Sequence, residues 1–178
     1  MPRYEADSLR VVAAEGDDLA RYIDLLEELA DWLESRGIRQ WPRGRVRRSM
    51  AYFIDSIARR EVQLAFVGDD LAGTLRLLTN DPIVWPEFTD GDAVYVYNLG
   101  VRRRWAGREL GSRLLRWAEG RAASLGRRFV RLDCMPDNAF LREYYERHGF
   151  IACGEVDARY PDPVGLERLR RYEKAVHT

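Results

Sequence analysis

AVYVYNLGV (Ala93–Val101), RRRWAGRELG (Arg102–Gly111) and FVRLDCMPDNAFLREYYERHGF (Phe129–Phe150) decide how this chain reads. The first is an apolar strand that runs into the second, an arginine-rich turn containing glycine, and then into an amphipathic helix. The third is a strand, Phe129–Met135, followed by a helix from about Asn138 to Arg147 that ends at Gly149. A strand entering a helix through a glycine turn aims backbone N–H groups and a positive helix end at one spot, which suits an anion such as a phosphate. The second unit brings Asn138 and Tyr145 beside it. A site for a phosphorylated cofactor is one reading; an ordinary turn with solvated arginines is the other. It is not a P-loop, since GxxxxGK[ST] is missing, nor a dinucleotide fingerprint, since GxGxxG does not occur.

Working outward, Leu9–Ala13 is rich enough in β-formers for an opening strand. Gly16-Asp17-Asp18 then caps a helix in which Leu19, Ile23, Leu26, Leu29, Ala30 and Leu33 recur at helical spacing. Gly37 stops it, and Gly37–Gly44 is a loop. A second helix is expected over Val46–Arg59. Val62–Val67 and Leu71–Leu78 flank Gly68-Asp69-Asp70, a hairpin signal, and Asn80–Asp92 reads as a long loop. The helix after the arginine turn is expected from about Glu109 to Leu125. Phe150–Val156 and Arg171–Val176 read as closing strands joined by the proline-rich Tyr160–Gly165. Strands entering helices through short turns predict a mixed sheet with helices on both faces.

A chain of 178 residues fits one domain over 1–178 with a single core. Acidic and basic side chains balance at 29 each, so no global field draws in nucleic acid or a membrane surface. The two cysteines, Cys134 and Cys153, have no metal-ligand spacing, and no metal is expected. No stretch approaches the ~18 apolar residues of a membrane span, and the first residues lack a signal-peptide core. A reduced, cytoplasmic setting is the expectation.

The run YNLGVRRRWAGRELGSRLLRWAEGRA with LDCMPDNAFLREYYERHGF resembles the GNAT superfamily of acetyl-coenzyme A-dependent N-acetyltransferases. The resemblance is sharpest over Val94–Val156. It implies acetyl-CoA as co-substrate and transfer of an acetyl group to a primary amine of a small molecule or peptide. The fold it implies is α+β (α/β/α layered), its mixed, mostly antiparallel sheet of about seven strands splayed in the middle with helices on both faces. It also allows a homodimer. The family's phosphate loop, Gln/Arg-x-x-Gly-x-Gly/Ala, falls on Ala106–Gly111, of which only Gly111 matches; Ala106 and Glu109 depart from it. By the resemblance, the backbone of Ala106, Gly107, Arg108, Leu110, Gly111 and Ser112 holds the pyrophosphate, with charge from Arg102, Arg103, Arg104 and Arg108. Leu99 and Val101 offer free strand backbone to the pantetheine arm, and the Leu99 amide bonds the thioester carbonyl. Asn138 holds the pantetheine, serves as a helix N-cap, or both. Glu109 sets a carboxylate where phosphates would lie, so a non-catalytic acyl-CoA-binding or sensor module is the alternative function.

Tyr145 stands four residues before Gly149, where the family places the tyrosine that protonates the departing thiolate; a core aromatic is the other reading. A phenol of pKa ~10 serves a thiol of ~8.5 only where the site adjusts both. No general base stands out, and Asp92 and Glu87 are the candidates. Cys134 reads as a buried small hydrophobe rather than a nucleophile. His148 sits in a helix's last turn, where a cation suits the dipole, and His177 carries no motif. Two loops are expected over the acceptor: Gly37–Gly44 with Trp41, and Ile83–Asp92 with Trp85, Glu87 and Phe88.

Overall fold

A computed structural model describes residues 8–162 and 164–176; His177 lies outside them. Strands β1 (Leu9–Ala13), β2 (Val62–Val67), β3 (Asp70–Leu78), β4 (Ala93–Val101), β5 (Phe129–Cys134), β6 (Ile151–Arg159) and β7 (Leu166–Ala175) form one sheet in the order β1-β2-β3-β4-β5-β7-β6. Helices α1 (Leu19–Ser35), α2 (Arg45–Arg48), α3 (Met50–Ala58), α4 (Leu110–Ser124) and α5 (Ala139–Arg147) complete the fold. Only β4–β5 is parallel, as a strand–helix–strand crossover through α4 requires; every other pair is antiparallel. This is the mixed, mostly antiparallel sheet expected from the sequence.

The two faces are covered for reasons legible in the chain. Tyr22, Ile23, Leu25, Leu26 and Leu29 recur at helical spacing and bury the inner side of α1 against Val62, Leu64 and Phe66. Phe53 and Ile57 of α3 join the same cluster. On the opposite face Leu114, Leu115, Ala118 and Ala122 of α4, with Tyr145 of α5, pack on Val94, Val96, Val130, Leu132 and Cys134. Each leucine so buried contributes about 1.5–3 kcal/mol relative to exposure. A third cluster forms where Trp85, from the β3–β4 loop, packs on Ala93, Tyr95 and Leu169.

Three boundaries differ from the sequence reading. Gly16–Asp18 forms a 3-10 turn leading into α1, with the Glu15 N–H donating to Asp18 Oδ2 at 2.8 Å. The single helix expected over Val46–Arg59 is broken at Ser49, whose N–H is shared by the carbonyls of Arg45 and Val46 (3.0 and 3.1 Å) in a tightened last turn. The closing strands run longer than expected, to Arg159 and back from Leu166. Most of β6 is exposed, and this hairpin is stabilised by cross-strand charge, Arg168 meeting Glu155 and Asp157 at 2.8 and 3.0 Å, so apolar alternation understates it.

The feature that positions the site lies at the middle of the sheet. Parallel pairing of β4 with β5 runs from Ala93↔Phe129 to Val96↔Leu132 and stops. Beyond it β5 continues with β7 while Tyr97–Val101 continue with β3, so the strands splay. On the β3 side the pairs Thr74↔Gly100 and Arg76↔Tyr97 leave Asn98 and Leu99 facing Leu75 alone. That two-for-one count is a β-bulge, and Asn98 adopts a φ of 48° within it.

Candidate active site

A cleft of about 910 Å³ runs through the splay. Leu99, Val101, Ala106, Gly107, Leu110, Gly111, Ser112, Asn138 and Tyr145 all line it. The sequence places these residues on two strand–helix units far apart in the chain, and the fold brings them to one cavity. Arg108 is the exception among the expected site residues: it does not line the cleft, and its guanidinium lies 4.8 Å from the Trp105 ring centroid.

The arginine turn is organised inward. Arg102 Nη1 donates to Glu28 at 2.5 Å, and Arg104 is ion-paired with Asp70, which also accepts from the Trp105 indole N–H at 2.6 Å. Arg103 lies over the Trp32 ring at 3.8 Å, while its backbone N–H donates to Glu28 at 2.9 Å. The arginines therefore rivet the turn to α1 and the β2–β3 hairpin. Arg103 and Trp105 still line the cleft, together with the start of α4, whose first N–H groups have no intrahelical acceptor and no side-chain cap.

Glu109 occupies the N-cap of α4 with φ 56° and ψ 15°, the left-handed conformation that glycine adopts freely. A non-glycine residue held there costs about 1–2 kcal/mol. Glu109 thus takes the backbone path of a glycine while lining the cleft.

Ser112, one turn into α4, points to α5. Its Oγ lies 2.7 Å from His148 Nε2 and 3.4 Å from the Tyr144 hydroxyl. His148 Nδ1 lies 2.7 Å from the Tyr144 carbonyl, which can only accept, so Nδ1 carries a proton. His148 thus orients Ser112 as well as closing its own helix. Asn138 is the N-cap of α5: its Oδ1 accepts from the Leu141 N–H at 3.1 Å, and its Nδ2 donates to Gln40 Oε1 at 3.1 Å. Gln40 Oε1 also accepts from the Met135 N–H at 3.2 Å, tying the α1–α2 loop to the end of β5. No motif marks Gln40 in the sequence; only the fold reveals it.

Tyr145 is 5% exposed, with the rings of Phe150 and Tyr172 at 5.9 and 5.7 Å. Burial, reinforced by Cys134 and Asp133, pushes its phenol well above the ordinary value. It is therefore fully protonated at any working pH. Cys134 is fully buried and its thiol is pushed up to about 12, mainly by burial, which leaves no thiolate for nucleophilic attack.

The expected general bases are engaged elsewhere. Glu87 accepts from Arg171 at 2.5 Å and Asp92 is ion-paired with Arg128; neither lines the cleft. Trp85 is 1% exposed and packs against Phe88, Tyr95 and the guanidinium of Arg171, so it belongs to the core, and no residue of the Ile83–Asp92 loop lines the cleft. Trp41 does line the cleft, packed over Gly100. The cleft is also lined by Tyr52, Arg76, Tyr97, Asp133, Tyr160 and Glu167. Arg76 is 1% exposed, held by Glu61 at 2.8 Å and by the Tyr52 hydroxyl at 2.6 Å. No group of three or more metal-ligating side chains occurs among the described residues, and no helix among them is long and apolar enough to cross a membrane.

The model of the Acetyltransferase (GNAT) family matches residues 26–150. The chain is 30% identical over 159 residues to the Bacillus subtilis (strain 168) protein called uncharacterized N-acetyltransferase YesJ, covering 87% of this chain and 88% of that one. In fold it is similar to a GNAT-family acetyltransferase of Listeria monocytogenes 4b F2365, with a TM-score of 0.76, 24% identity and 94% of both chains covered. It is likewise similar to a Salmonella typhimurium acetyl transferase that modifies the N-terminal serine of ribosomal protein L7/L12, with a TM-score of 0.72, 16% identity and 96% of both covered. A third neighbour, yncA of Salmonella typhimurium, was solved with its cofactor acetyl-CoA; it has a TM-score of 0.67 and 14% identity, over 96% of this chain and 95% of that one.

Proposed function

The chain belongs to the GNAT acetyltransferase family, and on that premise we propose that it moves an acetyl group from acetyl-CoA to a primary amine of a small molecule or peptide, by direct attack within a ternary complex. One observation carries the reading: the open β4–β5 gap, the uncapped start of α4 and Tyr145 share a single cleft. In this reading the backbone from Ala106 to Ser112 receives the pyrophosphate at the α4 N-terminus. The unpaired edge of β4 at Leu99 and Val101 receives the pantetheine as an added strand, with Asn138 opposite. The Leu99 amide, at the bulge beside the open gap, donates to the thioester oxygen as negative charge builds there.

Tyr145 then protonates the leaving sulfur. Its raised pKa keeps the proton in place until the thiolate forms, and a thiolate expelled into the same desolvated space is more basic than in water. Direct transfer, rather than an acyl-cysteine relay, is supported by the buried, protonated state of Cys134. The acetyl-CoA-bound neighbour and the L7/L12-modifying neighbour act as precedents for cofactor and amine class. A soluble cytoplasmic protein, acting alone or as a homodimer, is the setting proposed.

Calorimetric titration with acetyl-CoA and CoA, followed by thiol release across an amine panel, tests this. Micromolar binding with amine-dependent turnover is the expected result. Binding without turnover on any amine would favour a sensor module, for which Glu109 is the specific motive, and no binding at millimolar ligand would end both readings.

A further inference from the structure

Resting on the acetyltransferase reading, we infer that Asp133 is the proton acceptor for the amine, receiving it as an ammonium ion on the face of the sheet opposite Tyr145.

Position comes first. The last parallel rung is Val96↔Leu132, and Asp133 is the next residue of β5, the first beside the open gap. Alternation sets its side chain on the same face as Arg131, which donates to the Tyr95 hydroxyl at 3.1 Å. Leu132 and Cys134 point the other way, into the cluster that contains Tyr145. Asp133 and Tyr145 thus flank one gap from its two sides, and both line the cleft. A nucleophile entering from the Asp133 side meets a thioester whose sulfur leaves toward Tyr145.

Its surroundings come second. Among the described residues Asp133 has no hydrogen-bond donor and no ion-pair partner, although Glu87 and Asp92 both have one. Its cross-strand neighbour on β7, Arg171, is turned to Glu87 and the Val84 carbonyl, and Arg131 on the same face of β5 is held by Glu173; the charges that bear on Asp133 are acidic. Asp81, from the β3–β4 loop, already accepts from Tyr97 at 2.6 Å, and Glu167 of β7 is paired with Arg45 of α2 at 2.5 Å. Tyr97 of β4 and Tyr160 after β6 complete the ring, each held protonated by burial with Asp133 adding to the effect. A half-buried carboxylate without a counter-charge is costly, and the neighbouring arginines are engaged by Glu87 and Glu173; an alkylammonium would supply one.

The energetics of transfer agree. Burial first, then Asp81 and Glu167, push the Asp133 carboxyl up to about 8. That lies within ~2–3 units of an alkylammonium of pKa ~10.4, so moving the proton between them costs only a few kcal/mol, where an ordinary carboxylate near ~4 would demand far more. The ammonium gives one proton to the Asp133 carboxylate and the freed nitrogen lone pair forms the C–N bond. As the C–S bond breaks, sulfur takes the Tyr145 proton, and the second proton lost by nitrogen restores the phenol. Asp133 releases its proton to solvent, which closes the balance at one amide, one thiol and one proton.

The test uses n-propylamine as probe, with thiol release from acetyl-CoA followed from pH 6 to 10 and acetyl-CoA affinity measured by calorimetry, in wild type, D133N and D133E. Wild-type kcat/KM for the amine should rise with pH through about 8 as Asp133 ionises. D133N should lose about 10²-fold or more and that limb of the profile, with acetyl-CoA affinity unchanged and partial rescue in D133E. D133N within threefold of wild type with the same limb would overturn the assignment. So would loss of acetyl-CoA affinity in D133N, which would mark Asp133 as structural, or acetyl-CoA binding by wild type with no transfer to the probe. Failure of wild type to bind acetyl-CoA would instead remove the functional reading itself.

Discussion

The Tyr144 hydroxyl stands 2.6 Å from where a Cβ on Gly111 would lie. The first turn of α4 and the last turn of α5 therefore touch through the one position where only glycine leaves room. Tyr144 cannot easily yield, because its ring stacks on Phe140 at 6.0 Å and lies tilted against His148 at 4.3 Å. Gly111→Ala is expected to destabilise by about 1–3 kcal/mol and to weaken acetyl-CoA binding. Adding Tyr144→Phe removes the clashing oxygen and should restore most of the loss. Thermal melts and CoA titration of both singles and the double variant read this as a coupling energy.

Glu109 is a separate matter, because here a side chain sits where the backbone favours none. Glu109→Gly relieves the left-handed strain and removes a carboxylate from the cleft. It should raise stability by up to about 1 kcal/mol and tighten acetyl-CoA binding several-fold. Equal affinity in Glu109→Gly and wild type would mean that the carboxylate turns away from the phosphates.

Tyr145→Phe should lower kcat by about 10²-fold while leaving acetyl-CoA affinity and the melting temperature nearly unchanged. Unaltered turnover in steady-state thiol release would return Tyr145 to the role of a core aromatic.

Stability and pH are linked through Asp133. Its folded-state pKa is raised, so the folded chain holds this proton more tightly than the unfolded one. The stabilisation from the protonated form is complete below the unfolded pKa of about 4 and is lost as pH climbs through about 8. Asp133→Asn keeps the neutral form at every pH. Its melting temperature should match wild type near pH 4 and exceed it at pH 9. A variant that melts lower throughout that range would contradict the burial of an unpaired carboxylate.

Trp41 and Trp85 should part company. Trp41→Ala should raise the acceptor KM with little effect on acetyl-CoA affinity, since Trp41 lines the cleft. Trp85→Ala should instead destabilise the fold by about 3–5 kcal/mol, because the ring is 1% exposed among Phe88, Tyr95 and Arg171. Chemical denaturation and steady-state kinetics on the two variants separate the roles.

Local patterning carried much of this molecule. Helical periodicity from Leu19 to Leu33 marks the buried side of α1, and the apolar runs of β2 through β5 identify the centre of the sheet, because burial on two faces leaves few polar residues to blur the signal. The strand–turn–helix units also pointed to the cleft, since backbone N–H groups at a helix start attract anions whatever side chains surround them. Polar edges were harder. β6 and β7 rely on ion pairs across strands, and a pairing between Arg168 and Glu155 has no local signature.

What the sequence determined by itself was the set of elements, the family resemblance, and the residues placed on the two strand–helix units, because these follow from interactions within a few residues along the chain. What only the tertiary structure decided was how charge is spent. Glu87, Asp92, Arg102 and Arg104 are bound to partners distant in sequence, Trp85 is drawn into the core, and Asp133 is left unpaired beside the gap. A carboxylate's role depends on what stands within a few ångströms of it, and that neighbourhood exists only once the sheet has splayed and the loops have closed around it.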